Sequence, residues 1–148
     1  MDVTKIKKLR SDTGAGVMEA KQVLEKFGND LEEATKYLMS KVSEKAAKKL
    51  DRTTKDGLVH SYIHNKGKVG SLVLLACETD FVAKTEDFKK LANDIAMQIC
   101  TDEYENVESL LKSEYMRDSS RTVQDCINGV IAKVGEKVEL KDFVKYSV

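Results

Sequence analysis

The sequence predicts an α+β fold, in which a helical N-terminal third precedes a small antiparallel sheet packed with helices. Two observations support this fold class. Apolar residues recur every three or four positions up to about residue 40 and again after residue 85, a spacing typical of amphipathic helices. Between residues 57 and 77, and again near the C-terminus, apolar residues alternate with polar ones or form short runs, which indicates strands. Strands that are grouped together favour a sheet with helices on one face.

Residues 1–41 are predicted to form a module of three short amphipathic helices. The first helix covers residues 3–10 and ends at a glycine-bearing turn over residues 11–16. The second helix covers residues 17–27, and Asp30 is placed to cap the start of the third. Three helices of this length can bury one small shared core.

Residues 42–55 are predicted to be a basic helical linker. Lysine and arginine outnumber acidic residues here, and few apolar positions remain. A solvated linker is the favoured interpretation. A phosphate-binding patch is the alternative, but the segment lacks the aromatic side chains on which nucleic-acid bases stack.

Residues 56–148 are predicted to form an α+β core domain. Asn65–Lys68 provides a plausible hairpin connection between the first two strands. The predicted elements are strands near residues 58–64 and 69–77, helices near residues 88–99 and 123–131, and a final strand near residues 137–144.

The composition limits the partners and the compartment. Twenty-five basic and 25 acidic residues give a net charge of about zero, so we expect neither nucleic acid nor a membrane as a partner. Cys77, Cys100 and Cys126 form an odd set without a CxxC pair, which is typical of buried thiols in a reducing compartment. The N-terminus lacks the apolar core of a signal peptide. We therefore expect a cytoplasmic protein, with an organelle matrix or stroma as the other location.

The sequence offers no constellation for chemistry. His60 and His64 would share one face of a strand about 13 Å apart, which is too far for a common zinc ion. The Gly14–Gly16 segment lies between two predicted helices, whereas a nucleotide-binding fingerprint follows a strand. We therefore expect no enzyme activity, no cofactor, no metal and no direct nucleotide binding.

The junction that follows the second strand allows two interpretations of Phe81. The strand ends at Cys77, and Phe81 and Val82 fall beside acidic residues before the next helix becomes regular. Packing of the Phe81 ring under that helix is favoured by the pattern alone. An exposed aromatic tip that wedges into a partner is the alternative.

Several segments resemble the signatures of the elongation factor Ts family. Residues 9–18, continuing to Leu24, look like the N-terminal signature, and residues 28–34 extend the match. Residues 77–84 (CETDFVAK) look like the second signature, and residues 132–138 give a weaker third match. These segments lie in the family's order and run over most of the chain, so together they are highly specific.

The resemblance implies a guanine-nucleotide exchange factor that acts on elongation factor Tu during translation. The N-terminal helices would form a ubiquitin-associated-like module that docks on the GTPase domain of that partner. Arg10, Val17 and Met18 match the positions of that contact.

The second and third signatures imply contacts made by the core domain. The loop containing Thr79, Asp80, Phe81 and Val82 would enter the region of the partner's nucleotide and magnesium ion. Val134–Gly135 would provide a further contact. The implied mechanism is displacement of GDP without a covalent step, with Phe81 as the wedge.

The chain departs from the longer family pattern. Many members carry a second core half, a coiled-coil insertion and a C-terminal module, whereas this chain resembles a short form with a single core half. Pairing of two copies is therefore a possible compensation. An adaptor that binds ubiquitin-like or nascent-chain partners through the three helices is the alternative function, although it gives the 79–84 segment no role.

Overall fold

The computed structural model describes residues 2–148, and it contains seven α-helices and five β-strands within that range. The sheet and its covering helices confirm the α+β class. No helix among these residues is long and apolar enough to cross a membrane. The elements are α1 (Val3–Thr13), α2 (Val17–Lys26), α3 (Leu31–Ala47), β1 (Asp56–His64), β2 (Val69–Cys77), α4 (Asp80–Ala83), α5 (Glu86–Ile99), α6 (Val107–Lys112), β3 (Glu114–Tyr115), β4 (Asp118–Thr122), α7 (Val123–Val134) and β5 (Val138–Ser147).

The main sheet has three antiparallel strands in the order β1-β2-β5. The β1–β2 hairpin pairs Asp56 with Cys77 at one end and His64 with Val69 at the other. The connection turns through Asn65–Gly67, three residues with positive φ, which confirms the predicted hairpin. Strands β3 and β4 form a separate small ribbon. Its polar, very short strands carry no alternating pattern, so the sequence did not reveal it.

Helices α1–α3 bury a small core of their own around Leu9, Ala20 and Leu38. Helix α1 continues three residues beyond its predicted end. The hydroxyl of Thr13 donates to the Leu9 carbonyl at 2.6 Å, and Gly14 then ends the helix in the left-handed region, with φ 74°. Glycine tolerates that conformation, so the predicted turn begins at Gly14 and not at Ser11.

A second, larger core lies between the sheet and helices α5 and α7. Phe88, Ile99 and Ile127 are almost completely buried in it. The hydroxyl of Ser71 on β2 donates to the Ala96 carbonyl of α5 at 2.6 Å. The helices thus cover one face of the sheet, as the grouped strands predicted.

The first six residues of the predicted linker over residues 42–55 belong to helix α3. Helix α3 continues through Ala47, so the expected boundary at residue 41 falls inside it. Ala46 belongs to the larger core. At the end of α1, a side chain on Gly14 would approach the Gly129 carbonyl of α7 to 3.0 Å. Helices of the two regions are therefore in close contact, and the division into domains remains a prediction.

The outer face of the sheet is apolar and exposed. Ile63 and Tyr146 are 65% and 78% exposed. They lie on either side of Gly70 in the same cross-strand row. Leu72 and Val144 form the next row. An exposed apolar area of this kind is typical of a surface that another protein covers.

Candidate partner-binding site

Helix α4 is a single turn that joins β2 to α5. Its N-cap is Thr79, whose hydroxyl accepts a hydrogen bond from the Val82 backbone N–H at 3.5 Å. A helix of four residues cannot be stable by itself, because nucleation costs more than one turn of hydrogen bonds returns. Its orientation therefore depends on contacts from outside the turn.

Glu136 supplies the strongest of these contacts. Its carboxylate accepts from the Thr79 backbone N–H at 3.0 Å and from the Thr79 hydroxyl at 2.7 Å. Glu136 directly follows Gly135, which ends α7 in the left-handed region with φ 75°. Bonds to an ionised acceptor are shorter and stronger than neutral ones, so the base of α4 is fixed to the α7–β5 turn.

A second set of hydrogen bonds joins the same two segments, and here the acceptor lies before α4 and the donor lies after α7. The Glu78 carboxylate accepts from the Lys137 backbone N–H at 3.1 Å. The guanidinium of Arg52 reaches the same Glu78 carboxylate at 3.4 Å and the Gly135 carbonyl at 3.3 Å. The structure thus brings together two of the predicted contact segments, Thr79–Val82 and Val134–Gly135.

Some side chains of α4 are buried and others are exposed to solvent. Val82 and Ala83 are buried against the larger core, whereas the Phe81 ring is 79% exposed. Packing of Phe81 under the next helix, which the pattern alone favoured, is therefore wrong. Its neighbour Val82 fills that place, because the single helical turn points the two residues in different directions. Val82 anchors the turn and Phe81 projects from it.

Asp80 lies on the exposed side of α4. Its carboxylate bonds to the Lys84 ammonium at 3.2 Å, and both side chains are largely exposed. An exposed pair of this kind contributes little to stability. Asp80 can therefore exchange this partner for another without much cost to the fold.

The predicted N-terminal contact residues surround the junction of α1 and α2. Val17 and Met18 are 49% and 64% exposed in the first turn of α2. Arg10 is exposed near the end of α1, and its Nε donates to the Ala15 carbonyl at 3.3 Å. This hydrogen bond holds the guanidinium stem beside the turn that leads into α2. All three side chains are exposed at or beside this junction.

A charged cleft of about 630 Å³ separates α1 from the core helices. Arg10, Asp87 and Lys133 line it, and the last two form an ion pair at 3.1 Å. Burial raises the pKa of Asp12, although Arg121 and Lys8 nearby oppose the rise. The sequence did not reveal this cleft, because its walls come from four segments that are far apart in the chain.

Deeper in the cleft, Asp94 is buried among three partners. It bonds to the Lys90 ammonium at 2.8 Å, the Tyr115 hydroxyl at 3.1 Å and the Arg117 guanidinium at 3.3 Å. Burial and the Asp94 carboxylate raise the pKa of Tyr115 to about 12. Tyr115 therefore stays protonated and donates to Asp94, and the cluster acts as a structural brace for the β3–β4 ribbon.

The histidines are engaged in ordinary side-chain contacts. His60 lies 3.0 Å from the Asn93 side-chain oxygen, and His64 lies 3.0 Å from the Tyr62 hydroxyl. Within residues 2–148 no group of three or more metal-ligating side chains comes together. Burial raises the pKa of Cys77 to about 11, so its thiol stays protonated near neutral pH.

Comparison with known proteins places the chain in a family. Residues 78–148 match the family described as Elongation factor TS. The chain is 37% identical to Elongation factor Ts from Desulforamulus reducens over 188 aligned positions, which cover 97% of this chain and 87% of that protein. It is also 37% identical to the Coprothermobacter proteolyticus protein, with 97% and 95% covered.

A third relative matches along almost the full length of both chains. Elongation factor Ts from Petrotoga mobilis is 35% identical over 195 aligned positions, which cover 100% of this chain and 99% of that protein. These aligned positions exceed the 148 residues of the chain. The relatives therefore carry residues at positions where this chain has none. At this identity over this coverage, the chain belongs to the elongation factor Ts family.

Proposed function

We propose that the protein is a guanine-nucleotide exchange factor that promotes GDP release from elongation factor Tu. The observation that carries the proposal is the Phe81 ring, which is exposed on a one-turn helix whose base is fixed. Exposure of a large aromatic side chain on a rigid base is typical of a residue that a partner buries. The family membership supports elongation factor Tu as that partner.

The proposed mechanism assigns different tasks to the two exposed surfaces. Arg10, Val17 and Met18 dock on the GTPase domain, and this contact supplies affinity. Asp80 and Phe81 then enter the region of the nucleotide and its magnesium ion and compete with the contacts that hold GDP. The exchange factor and GDP consequently weaken each other's binding by the same ratio. No bond to the nucleotide is made or broken, so the protein is not an enzyme.

Nucleotide release from purified elongation factor Tu tests this proposal. Elongation factor Tu loaded with a fluorescent GDP analogue is mixed with excess GDP and a substoichiometric amount of this protein. We expect faster release of the analogue and no hydrolysis by the protein alone. A release rate that stays unchanged at saturating protein would contradict the proposal. No effect on release, together with binding to a ubiquitin-like or nascent-chain partner, would favour the adaptor alternative.

We also propose that a second copy of the chain covers the outer face of the sheet. Its support is the exposed apolar rows formed by Ile63, Gly70 and Tyr146 and by Leu72 and Val144. Light scattering is expected to give the mass of a dimer, and Leu72→Lys is expected to shift it toward the monomer because a buried unpaired charge is costly. Lys66→Glu, which changes a charge in the β1–β2 turn, serves as the control and is expected to leave the mass unchanged. A monomer at high concentration would exclude pairing.

A further inference from the structure

We infer that Glu136 is a positioning residue that sets the direction in which Phe81 projects toward the partner. This inference rests on the proposed function and deepens it, because it assigns the orientation of the wedge to a residue outside the wedge. Glu136 lies 57 residues from Thr79 in the chain. It directly follows Val134–Gly135 and is not itself one of the residues predicted to contact the partner.

Thr79 depends on the Glu136 carboxylate for the hydrogen bonds of both of its donor groups. Thr79 donates both of its N–H and O–H groups to the two oxygens of this one carboxylate. The hydroxyl oxygen is then left to accept from the Val82 N–H, a bond with a length of 3.5 Å. Because that bond is long, the cap within α4 is weak. The short bonds to Glu136 therefore determine the orientation of Thr79, the residue that caps the turn.

The Phe81 ring has no comparable contacts of its own. It is mostly exposed, and its neighbour Asp80 bonds only to the exposed Lys84 among the residues that the structure describes. The direction of the ring thus follows from the backbone of residues 79–82. Apart from the hydrogen bonds of the helical turn itself, that backbone is held by the Glu136 carboxylate at one end and by the buried Val82 at the other.

The turn that presents Glu136 is itself well defined. Gly135 ends α7 with its backbone N–H donating to the Ile131 carbonyl at 2.9 Å. Lys137 donates its backbone N–H to Glu78, the residue that precedes Thr79. The carboxylate of Glu136 therefore belongs to a rigid support and not to a mobile surface loop, which is the requirement for a positioning role.

Glu136→Ala tests the inference, with Glu139→Ala as a matched control. Glu139 also accepts from a threonine hydroxyl distant in sequence, that of Thr54, at 2.7 Å, but this bond does not touch α4. At saturating Glu136→Ala protein, we expect the maximal rate of GDP release to fall by between about 5-fold and 30-fold, up to the loss expected when the Phe81 ring is removed altogether. The concentration that gives half of the maximal rate is expected to stay nearly constant, because the α2 surface is intact.

Hydrogen exchange on the free protein provides a readout that does not depend on activity. The backbone N–H groups of residues 82–84 are expected to exchange faster in Glu136→Ala and to be unchanged in Glu139→Ala. If Glu136→Ala folds poorly, Glu136→Gln replaces it, since the amide keeps the size of the side chain and one acceptor. A smaller effect in the same direction is then expected.

Three results would decide against the inference or separate it from the proposed function. Normal exchange at residues 82–84 in Glu136→Ala would overturn it. A wild-type maximal release rate from the folded fraction would also overturn it, because Glu136 would then serve stability alone. If the wild-type protein itself fails to accelerate GDP release, the proposed function falls, and the hydrogen-exchange comparison alone decides whether Glu136 positions the loop.

Discussion

The two exposed surfaces of the candidate site are built in different ways. Val17 and Met18 project from the first turn of α2, a ten-residue helix that packs into its own small core. Phe81 projects from α4, a single turn that depends on Glu136 and Glu78 for its orientation. The first surface is local, and the second depends on a distant part of the chain. A surface on a helix that packs into its own small core suits docking. A side chain held on a fixed turn suits insertion into the region of a nucleotide site.

The largest expected effect concerns stability and separates the two phenylalanines of the α4–α5 region. Phe88 is fully buried and Phe81 is mostly exposed. Phe88→Ala is expected to lose about 3–5 kcal/mol of unfolding free energy, because it opens a cavity in the larger core. Phe81→Ala is expected to change it by less than about 0.5 kcal/mol. Thermal melts of both variants measure this difference. A strongly lowered melting temperature for Phe81→Ala would show that the Phe81 ring packs in the core.

A smaller effect is expected at the α2 surface, and it should affect binding and not the maximal rate. Met18→Ala is expected to weaken binding to elongation factor Tu by about 1–2 kcal/mol, which is between about 5-fold and 30-fold in affinity. Titration of the GDP-release rate against protein concentration separates the two quantities. The control is Val3→Ala, an exposed residue at the start of α1. A reduced maximal rate with unchanged affinity would contradict the division of tasks.

The smallest effect is expected at Arg52. Its guanidinium connects Glu78 to the Gly135 carbonyl, but it is half exposed and both distances are long. Arg52→Ala is expected to lower the maximal release rate by less than about fivefold, because exposed ion pairs contribute between about 0 and 1 kcal/mol. The same titration measures it. A loss as large as that of Glu136→Ala would contradict the assignment of Glu136 as the principal brace.

The sequence predicted the local features of this protein better than the distant ones. The β1–β2 hairpin followed from Asn65–Gly67, and the cap at Asp30 is confirmed by its bonds to the Glu32 and Glu33 N–H groups. The bonds of Glu136 to Thr79 could not be predicted, because no periodic pattern relates residues that are 57 positions apart.

The orientation of Phe81 and the extent of α3 illustrate the same limit. Both Phe81 and Val82 are apolar, and their spacing does not show which of the two a four-residue helix buries. The apolar positions of the predicted linker are sparse, but Val42 and Ala46 are buried because α3 packs against α7. Tertiary contact decided both outcomes, and the resemblance to the family predicted an exposed Phe81 where the pattern alone did not.

The most direct test of the account is the rate of GDP release from elongation factor Tu at saturating wild-type and Phe81→Ala protein. A buried interface aromatic contributes about 2 kcal/mol or more, so the account predicts a maximal rate at least about 30-fold lower for Phe81→Ala, with an unchanged melting temperature. A well-folded Phe81→Ala protein that releases GDP at the wild-type rate would contradict the central claim that this exposed ring is the wedge.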